Sequence, residues 1–395
     1  MPFRGKFKAF AQDLAPDHAL VTSAKETINE ISQAIQAHFK GRGIVDRVIP
    51  YGSLPKKSSI HDMMDIDVIV YINKEHPPFY DFIEELFELL PCKCQCKFEC
   101  DCGKHEYGIK FCFDGFKLDL LPAVNFLPSR QCHRYIKGQS VRVQHQRALE
   151  HVKQLPADMR HYYSTSLSGA SVLFEKERDS FSHSLSRLAK YWSFKVPVNN
   201  IIGRSSIMEY MGAYAADRQN GNQDIVEGFR RFLQLFESSD SLKIYWTNFY
   251  RKKDVPKRKW TKRPLLLDPC NPYNNFLDTE YNASKIAQME SYAQATLSRL
   301  NAAEMDYNAG IQVNFADIFC QDQPNPRPAR TFYNDKRQGS EYQSRRGQFP
   351  PPNSNRGCYN CGERNHITRS CRYDFPVECR SCGRKGHKEK FCFMH

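Results

Sequence analysis

The sequence predicts an α+β protein: a lobe of alternating strands and helices, a mostly helical second lobe, a flexible linker and a small cysteine-rich module. Three observations predict it. Strand-like and helical runs alternate over residues 8–121, the apolar spacing turns helical between about 180 and 320, and a Cys/His pattern occurs twice after residue 357. At 395 residues, with 41% hydrophobic and 26% charged, the chain is long enough for two or three domains with a proper core. The expected divisions are 1–175, 176–320, 321–357 and 358–395.

Residues 8–40 carry apolar side chains at Phe10, Leu14, Leu20, Ile28, Ile31, Ile35 and Phe39, a helical spacing interrupted by Pro16. A polar turn follows at 51–56, then a strand over 65–72 and a helix over 79–90. Strand signals return as far as Phe113 and again over 117–121. Helices are expected at 181–191, 205–216, 224–236 and 278–300. Residues 321–357 hold Pro324, Pro326, Pro328, Pro350, Pro351 and Pro352 among polar residues, the composition of a flexible linker.

No stretch approaches the ~18 consecutive apolar residues of a membrane span, and the N-terminus lacks an apolar signal core. The expectation is a soluble cytoplasmic protein, with the nucleus open and no membrane partner. The formal charge is +13, and residues 321–395 hold 15 Lys/Arg against 7 Asp/Glu. A basic tail suits a polyanion such as RNA or DNA, or serves solubility alone.

Of the 15 cysteines, six lie in the last 38 residues. Cys358, Cys361, His366 and Cys371 have the spacing C-x2-C-x4-H-x4-C, and Cys379, Cys382, His387 and Cys392 repeat it. Three thiolates and an imidazole form a closed tetrahedral set for structural Zn²⁺, so two zinc ions are expected. The units resemble retroviral-type zinc knuckles. That resemblance implies single-stranded RNA or DNA binding, with Tyr359 and Phe391 as stacking platforms among Arg364, Arg369, Arg380, Arg384, Lys385 and Lys388. A zinc-clipped protein-docking module is the alternative. Six further cysteines lie at 92–112, where Cys92, Cys94 and Cys96 alternate and Cys100, Cys102 and His105 come next, across a turn expected at Gly103. Buried free thiols are the expectation there, with a metal site as the alternative.

The chemistry centres on Gly52-Ser53 followed by Asp65-x-Asp67. On a strand, residues two apart share a face, so both carboxylates point one way while Ile66, Val68 and Val70 point to the core. Asp119 lies inside an apolar run, where an acid needs a reason. Three carboxylates on neighbouring strands suit two Mg²⁺ ions, and Gly52-Ser53 suits phosphate oxygens.

Gly52-Ser53, Asp65-x-Asp67, the segment from Lys117 to Ala123, the helix from Leu185 to Trp192, Ile244-Tyr245-Trp246-Thr247 and the segment from Arg263 to Pro269 resemble one group of enzymes. It is that of the nucleotidyltransferases related to 2′-5′-oligoadenylate synthetase and cyclic GMP-AMP synthase, over residues 5–310. The resemblance implies a polymerase-β-like catalytic lobe, a place in innate immunity, and ATP or another nucleoside triphosphate as substrate. It implies that Asp65 and Asp67 bind both magnesium ions, while Asp119 binds one and helps activate a hydroxyl. Ser53 and Lys56 would contact the donor triphosphate and Lys190 would clamp phosphate. Ser205-Ser206 stand where the oligoadenylate branch has Gln-Tyr, with Glu209 retained, which places Ser205 at the nucleotide site.

The expected activity is RNA-activated, template-independent synthesis of 2′-5′-linked oligonucleotides. Double-stranded RNA would lie on a basic face with Lys40, Arg42, Lys176 and Arg178. The alternatives are a cyclic-dinucleotide synthase, an RNA 3′-terminal nucleotidyltransferase and a silent RNA-binding scaffold.

Overall fold

The structure, a computed structural model, describes residues 1–319 except 62–63, 74–75, 91–101, 128–138, 197–204, 238 and 279–282. The linker and both Cys/His units lie outside the described residues, as do Cys92, Cys94, Cys96 and Cys100.

The chain opens with α1 (Phe3–Asp13) and α2 (His18–Phe39). The break falls at Pro16, and the Asp17 carboxylate starts α2 by accepting from the Leu20 amide at 2.7 Å. Five strands follow: β1 (Val45–Tyr51), β2 (Ile66–Ile72), β3 (Gly103–His105), β4 (Gly108–Phe113) and β5 (Phe116–Val124), with α3 (Tyr80–Leu89) between β2 and β3. Their order in the sheet is β1-β2-β5-β4-β3, with β2 and β5 parallel and the other pairs antiparallel. The hairpin turn of β3 and β4 falls after His105, not at Gly103, which is already inside β3.

Period-two alternation sorts β2 between two environments. Ile66, Val68, Val70 and Ile72 enter a core with α2, α3 and β4, while Ile69 and Tyr71 pack on the opposite face with Ala123. Asp67 is on that second face. Being in the middle of a sheet buried on both sides, β2 is apolar throughout except at Asp67.

The remaining elements are α4 (Gln139–Gln154), α5 (Ser164–Ser168), α6 (Ser171–Lys176), α7 (Ser180–Lys195), α8 (Ser205–Asp217), α9 (Ile225–Gln234), β6 (Lys243–Ile244), α10 (Lys257–Trp260), β7 (Leu265–Leu266) and α11 (Ala283–Asn308). A second core is built from α6 to α9 and α11. α1 joins it through Phe3, Phe7 and Ala11, so the first helix packs into the helical lobe. Gly212 allows α8 to lie close on α7: a Cβ there would come within 2.9 Å of the Leu185 carbonyl oxygen. Among the described residues no helix is long and apolar enough to cross a membrane.

Candidate active site

Asp67 and Asp119 stand opposite each other in the parallel pairing of β2 with β5. The two carboxylates therefore share one sheet face on adjacent strands, Asp67 near the start of β2 and Asp119 within β5. Asp65 lies exposed just ahead of β2. Burial and the neighbouring Asp119 push the Asp67 carboxyl up to about 7. Partial desolvation of this otherwise exposed carboxyl raises Asp65 as well, against the pull of Lys117.

Gly52 follows the end of β1 with φ +70° and packs against Asp67. A Cβ at Gly52 would lie 1.7 Å from Asp67 Oδ2, so only glycine fits. Ser53 comes next, its Oγ 3.0 Å from Ser59 Oγ. This places a phosphate-sized backbone turn directly beside the carboxylates.

His105 completes the cluster from the edge strand β3: its Nε2 lies 3.2 Å from Asp119 Oδ1. Sequence reasoning grouped this histidine with the nearby cysteines, and no local spacing points from residue 105 to residue 119. Cys102 is disulfide-bonded, contrary to the expected free thiol, while Cys112 is a half-buried cysteine outside any disulfide.

Among the described residues no three His, Cys, Asp or Glu side chains are gathered into a ready cation cage. The donor chemistry nevertheless fits magnesium. The set is of oxygen donors, and the carboxylate pair carries mutual repulsion that a hard divalent cation would relieve.

Lys56 and Lys190 are both buried, beyond the turn. Lys56 Nζ is 3.0 Å from Glu209 Oε1 on α8 and donates to the Tyr210 hydroxyl at 3.2 Å. The Ser58 hydroxyl donates to Glu209 Oε2 at 2.8 Å, and Lys190 Nζ donates to the Ser58 carbonyl at 3.1 Å. Arg187 of α7 adds a bond to the Lys57 carbonyl at 2.8 Å. Residues 56–58 are thus bound to two helices of the second lobe. Burial pulls Lys56 down, yet Glu209 holds it well above its ordinary value. Burial lowers Lys190. Glu209, despite burial, is held below its usual range by Lys56 and Lys190. Lys56 is therefore a buried junction cation, not an open phosphate contact, while Lys190 feels Asp67 and Asp65 across the site. Ser205 is exposed at the first residue of α8.

The expected duplex-binding residues are not alike. Lys176 and Lys40 are exposed. Arg178 is spent inside the helical lobe, donating to Asp217 Oδ1 and Oδ2 at 2.7 and 3.0 Å and lying 4.5 Å from the Phe174 ring. Arg42 is bound to Glu85 at 2.5 Å.

Residues 144–313 match the family model described as 2′-5′-oligoadenylate synthetase 1, domain 2, C-terminus. The rat 2′-5′-oligoadenylate synthase 3 is 25% identical over 308 residues, 69% of this chain and 26% of the relative. The rat 2′-5′-oligoadenylate synthase 1A is 33% identical over 123 residues, 29% of this chain and 34% of the relative. These alignments span only about a quarter to a third of those relatives' length. A mouse relative named inactive 2′-5′ oligoadenylate synthetase 1C is 22% identical, over 74% of this chain and 90% of the relative. The solved structure of Escherichia coli CdnC with ATP superimposes with a TM-score of 0.54 at 18% identity, covering 75% of this chain and 91% of that one. That likeness shows a shared fold.

Proposed function

We propose that the chain is a nucleotidyltransferase of the 2′-5′-oligoadenylate synthetase kind, RNA-activated and template-independent, a reading supported by the family-model match over residues 144–313 and by the oligoadenylate synthase relatives. It would join nucleoside triphosphates through 2′-5′ linkages. The observation that carries this reading is the in-register pair of Asp67 and Asp119 beside the Gly52 turn.

In the reaction, a ribose hydroxyl oxygen of one nucleotide bonds to the α-phosphorus of another. The bond from that phosphorus to the pyrophosphate oxygen breaks, and the hydroxyl proton leaves toward Asp119. His105 holds Asp119 by its Oδ1, fixing which way the carboxylate faces. The Gly52-Ser53 turn offers backbone amides and a hydroxyl to phosphate oxygens. Lys190 supplies positive charge to the same side, and Ser205, the exposed first residue of α8, would face the nucleotide. Magnesium held by Asp65, Asp67 and Asp119 would supply charge neutralisation for the triphosphate and a lowered hydroxyl pKa. Zinc in the two Cys/His units would shape a single-strand RNA-binding module at the C-terminus.

Cyclic-dinucleotide synthesis is the second reading. It is favoured by Ser205 and Ser206, which leave the head of α8 without an aromatic ring to stack on a base.

The test incubates the purified chain with labelled nucleotides, Mg²⁺ and RNA of several lengths. Short free products resistant to 3′-5′-specific nuclease, with unchanged RNA length, are expected. A cyclic product selects the second reading. Growth of the RNA at its 3′ end, or no product with any RNA, overturns the proposal.

A further inference from the structure

Residues 251–263 read Arg-Lys-Lys-Asp-Val-Pro-Lys-Arg-Lys-Trp-Thr-Lys-Arg, eight cations and one acid in thirteen positions. Residues 1–320 hold 42 Lys/Arg and 37 Asp/Glu, so removing this segment leaves 34 against 36. The whole positive excess of the first 320 residues is therefore gathered here. A charge distribution this uneven is costly through self-repulsion unless an anion uses it.

The structure shows which charges are already answered. Asp254 pairs with Lys153 at 3.0 Å and Arg251 at 3.7 Å. Asp278 takes Lys259 and, at 3.2 Å, Lys262. Among the described residues Lys252, Lys253, Lys257, Arg258, Arg263 and Lys243 have no carboxylate partner, and all but the half-buried Lys243 are exposed.

Trp260 organises part of this surface. Lys243 Nζ lies 3.9 Å and Lys252 Nζ 4.7 Å from its ring centroid, and Tyr245 meets it edge-on at 4.8 Å. Arg263 donates to the Trp260 carbonyl at 3.0 Å. Lys243 of β6 and Lys252 are thus held over one indole, with Arg263 bound to the same residue's carbonyl. Their crowding shows at Lys243, which desolvation, Arg263 and Lys252 hold below its ordinary value.

We propose that the surface of Lys243, Lys252, Lys253, Lys257, Arg258 and Arg263 around Trp260 is a docking site for the phosphate backbone of RNA. This rests on the reading that RNA is a ligand of the chain, and it uses residues other than the carboxylates and the C-terminal Cys/His units. A polyphosphate fits better than an acidic peptide because the exposed cations are spread over several segments and, among the described residues, have no carboxylate partner. Repeating charge on a backbone meets such an array without needing a particular sequence.

The test measures duplex RNA affinity of the full chain against salt. The variant Lys252→Gln/Lys253→Gln/Lys257→Gln/Arg258→Gln should weaken binding and lower the slope of log affinity on log salt by about 3, whatever the RNA sequence. The control Lys252→Arg/Lys253→Arg/Lys257→Arg keeps the charge and should keep the slope, which separates lost charge from lost fold. If RNA binds and the glutamine variant leaves the slope unchanged, this site is overturned while RNA binding stands. No RNA binding by the parent chain overturns both. Vesicles with anionic phospholipid form a second arm, and charge-dependent binding to them with no effect on RNA also contradicts the proposal.

Discussion

Two clusters of buried or half-buried carboxylates lie on either side of the short loop after β1, and they have opposite electrostatics. Between β2 and β5 Asp67 faces Asp119, and its carboxyl is pushed up to about 7. At the lobe junction Glu209 is more deeply buried, yet lies below its ordinary value between Lys56 and Lys190. Burial opposes ionisation at both. What differs is the counter-charge within reach. The junction supplies its own cations and is internally complete. On β2 and β5 like charges face each other, which under the proposed function suits an external cation. Glu175 marks a third case: fully buried with both carboxyl oxygens unbonded, it is pushed up to about 8 by burial and by Glu209.

The largest effect should come from Asp67→Asn. It removes charge where the reaction needs it, and nucleotide incorporation should fall at least about 1000-fold, roughly 4 kcal/mol in the barrier. Stability should hold or rise, because a repulsion is lost; thermal melting alongside the product assay checks both. Activity within about threefold of the parent would erase the distinction between the two clusters.

Glu209→Ala should do the reverse. It leaves Lys56 and Lys190 buried without their counter-charge, which costs about 3–5 kcal/mol. Urea unfolding midpoints read this, and a loss below about 1 kcal/mol would show that the junction does not depend on the pair.

Gly52→Ala places a methyl where Asp67 Oδ2 lies, at a φ that disfavours a side chain. The displaced carboxylate should lower turnover about 100-fold, with a fold loss of about 1–2 kcal/mol. Turnover unchanged by this variant would separate Asp67 from the chemistry.

Arg178→Ala is the smallest. Its bonds to Asp217 are internal, so it should cost about 1–2 kcal/mol in stability. RNA affinity measured below the melting temperature should stay within about twofold. A larger fall in affinity would return Arg178 to the RNA-binding face.

The carboxylate cluster was legible because its signal is local. An acid within each of two apolar runs, Asp67 and Asp119, states two neighbouring strands, whereas Asp65 falls just ahead of β2 rather than on it. The alternation of β2 and the break between α1 and α2 at Pro16 follow from equally short patterns. The junction was not legible, because Lys56 and Glu209 are about 150 residues apart and nothing in either neighbourhood names the other. His105 escaped for a related reason: it was grouped with the cysteines beside it, while its partner is set by a sheet register across two strands. Arg178 read as a surface charge because burial beside Phe174 and Trp246 depends on tertiary packing. The basic run at 251–263 is plain in the sequence, but which of its cations remain free is decided by Asp254 and Asp278.

The most direct measurement of the difference between the clusters is melting temperature against pH, with and without Mg²⁺, for the parent chain and Asp67→Asn. Asp67 has a folded-state value raised from 3.8 to about 7. The folded chain therefore binds the proton more tightly than the unfolded one, and stability falls as pH rises through that window. The parent chain without divalent cation should lose stability between about pH 4 and 7. Mg²⁺ should restore it at pH 8 and do little at pH 5, while Asp67→Asn should show a flatter pH profile and little response to the metal. An Asp67→Asn profile that matches the parent, with and without Mg²⁺, would contradict the assignment of these carboxylates as the cation site.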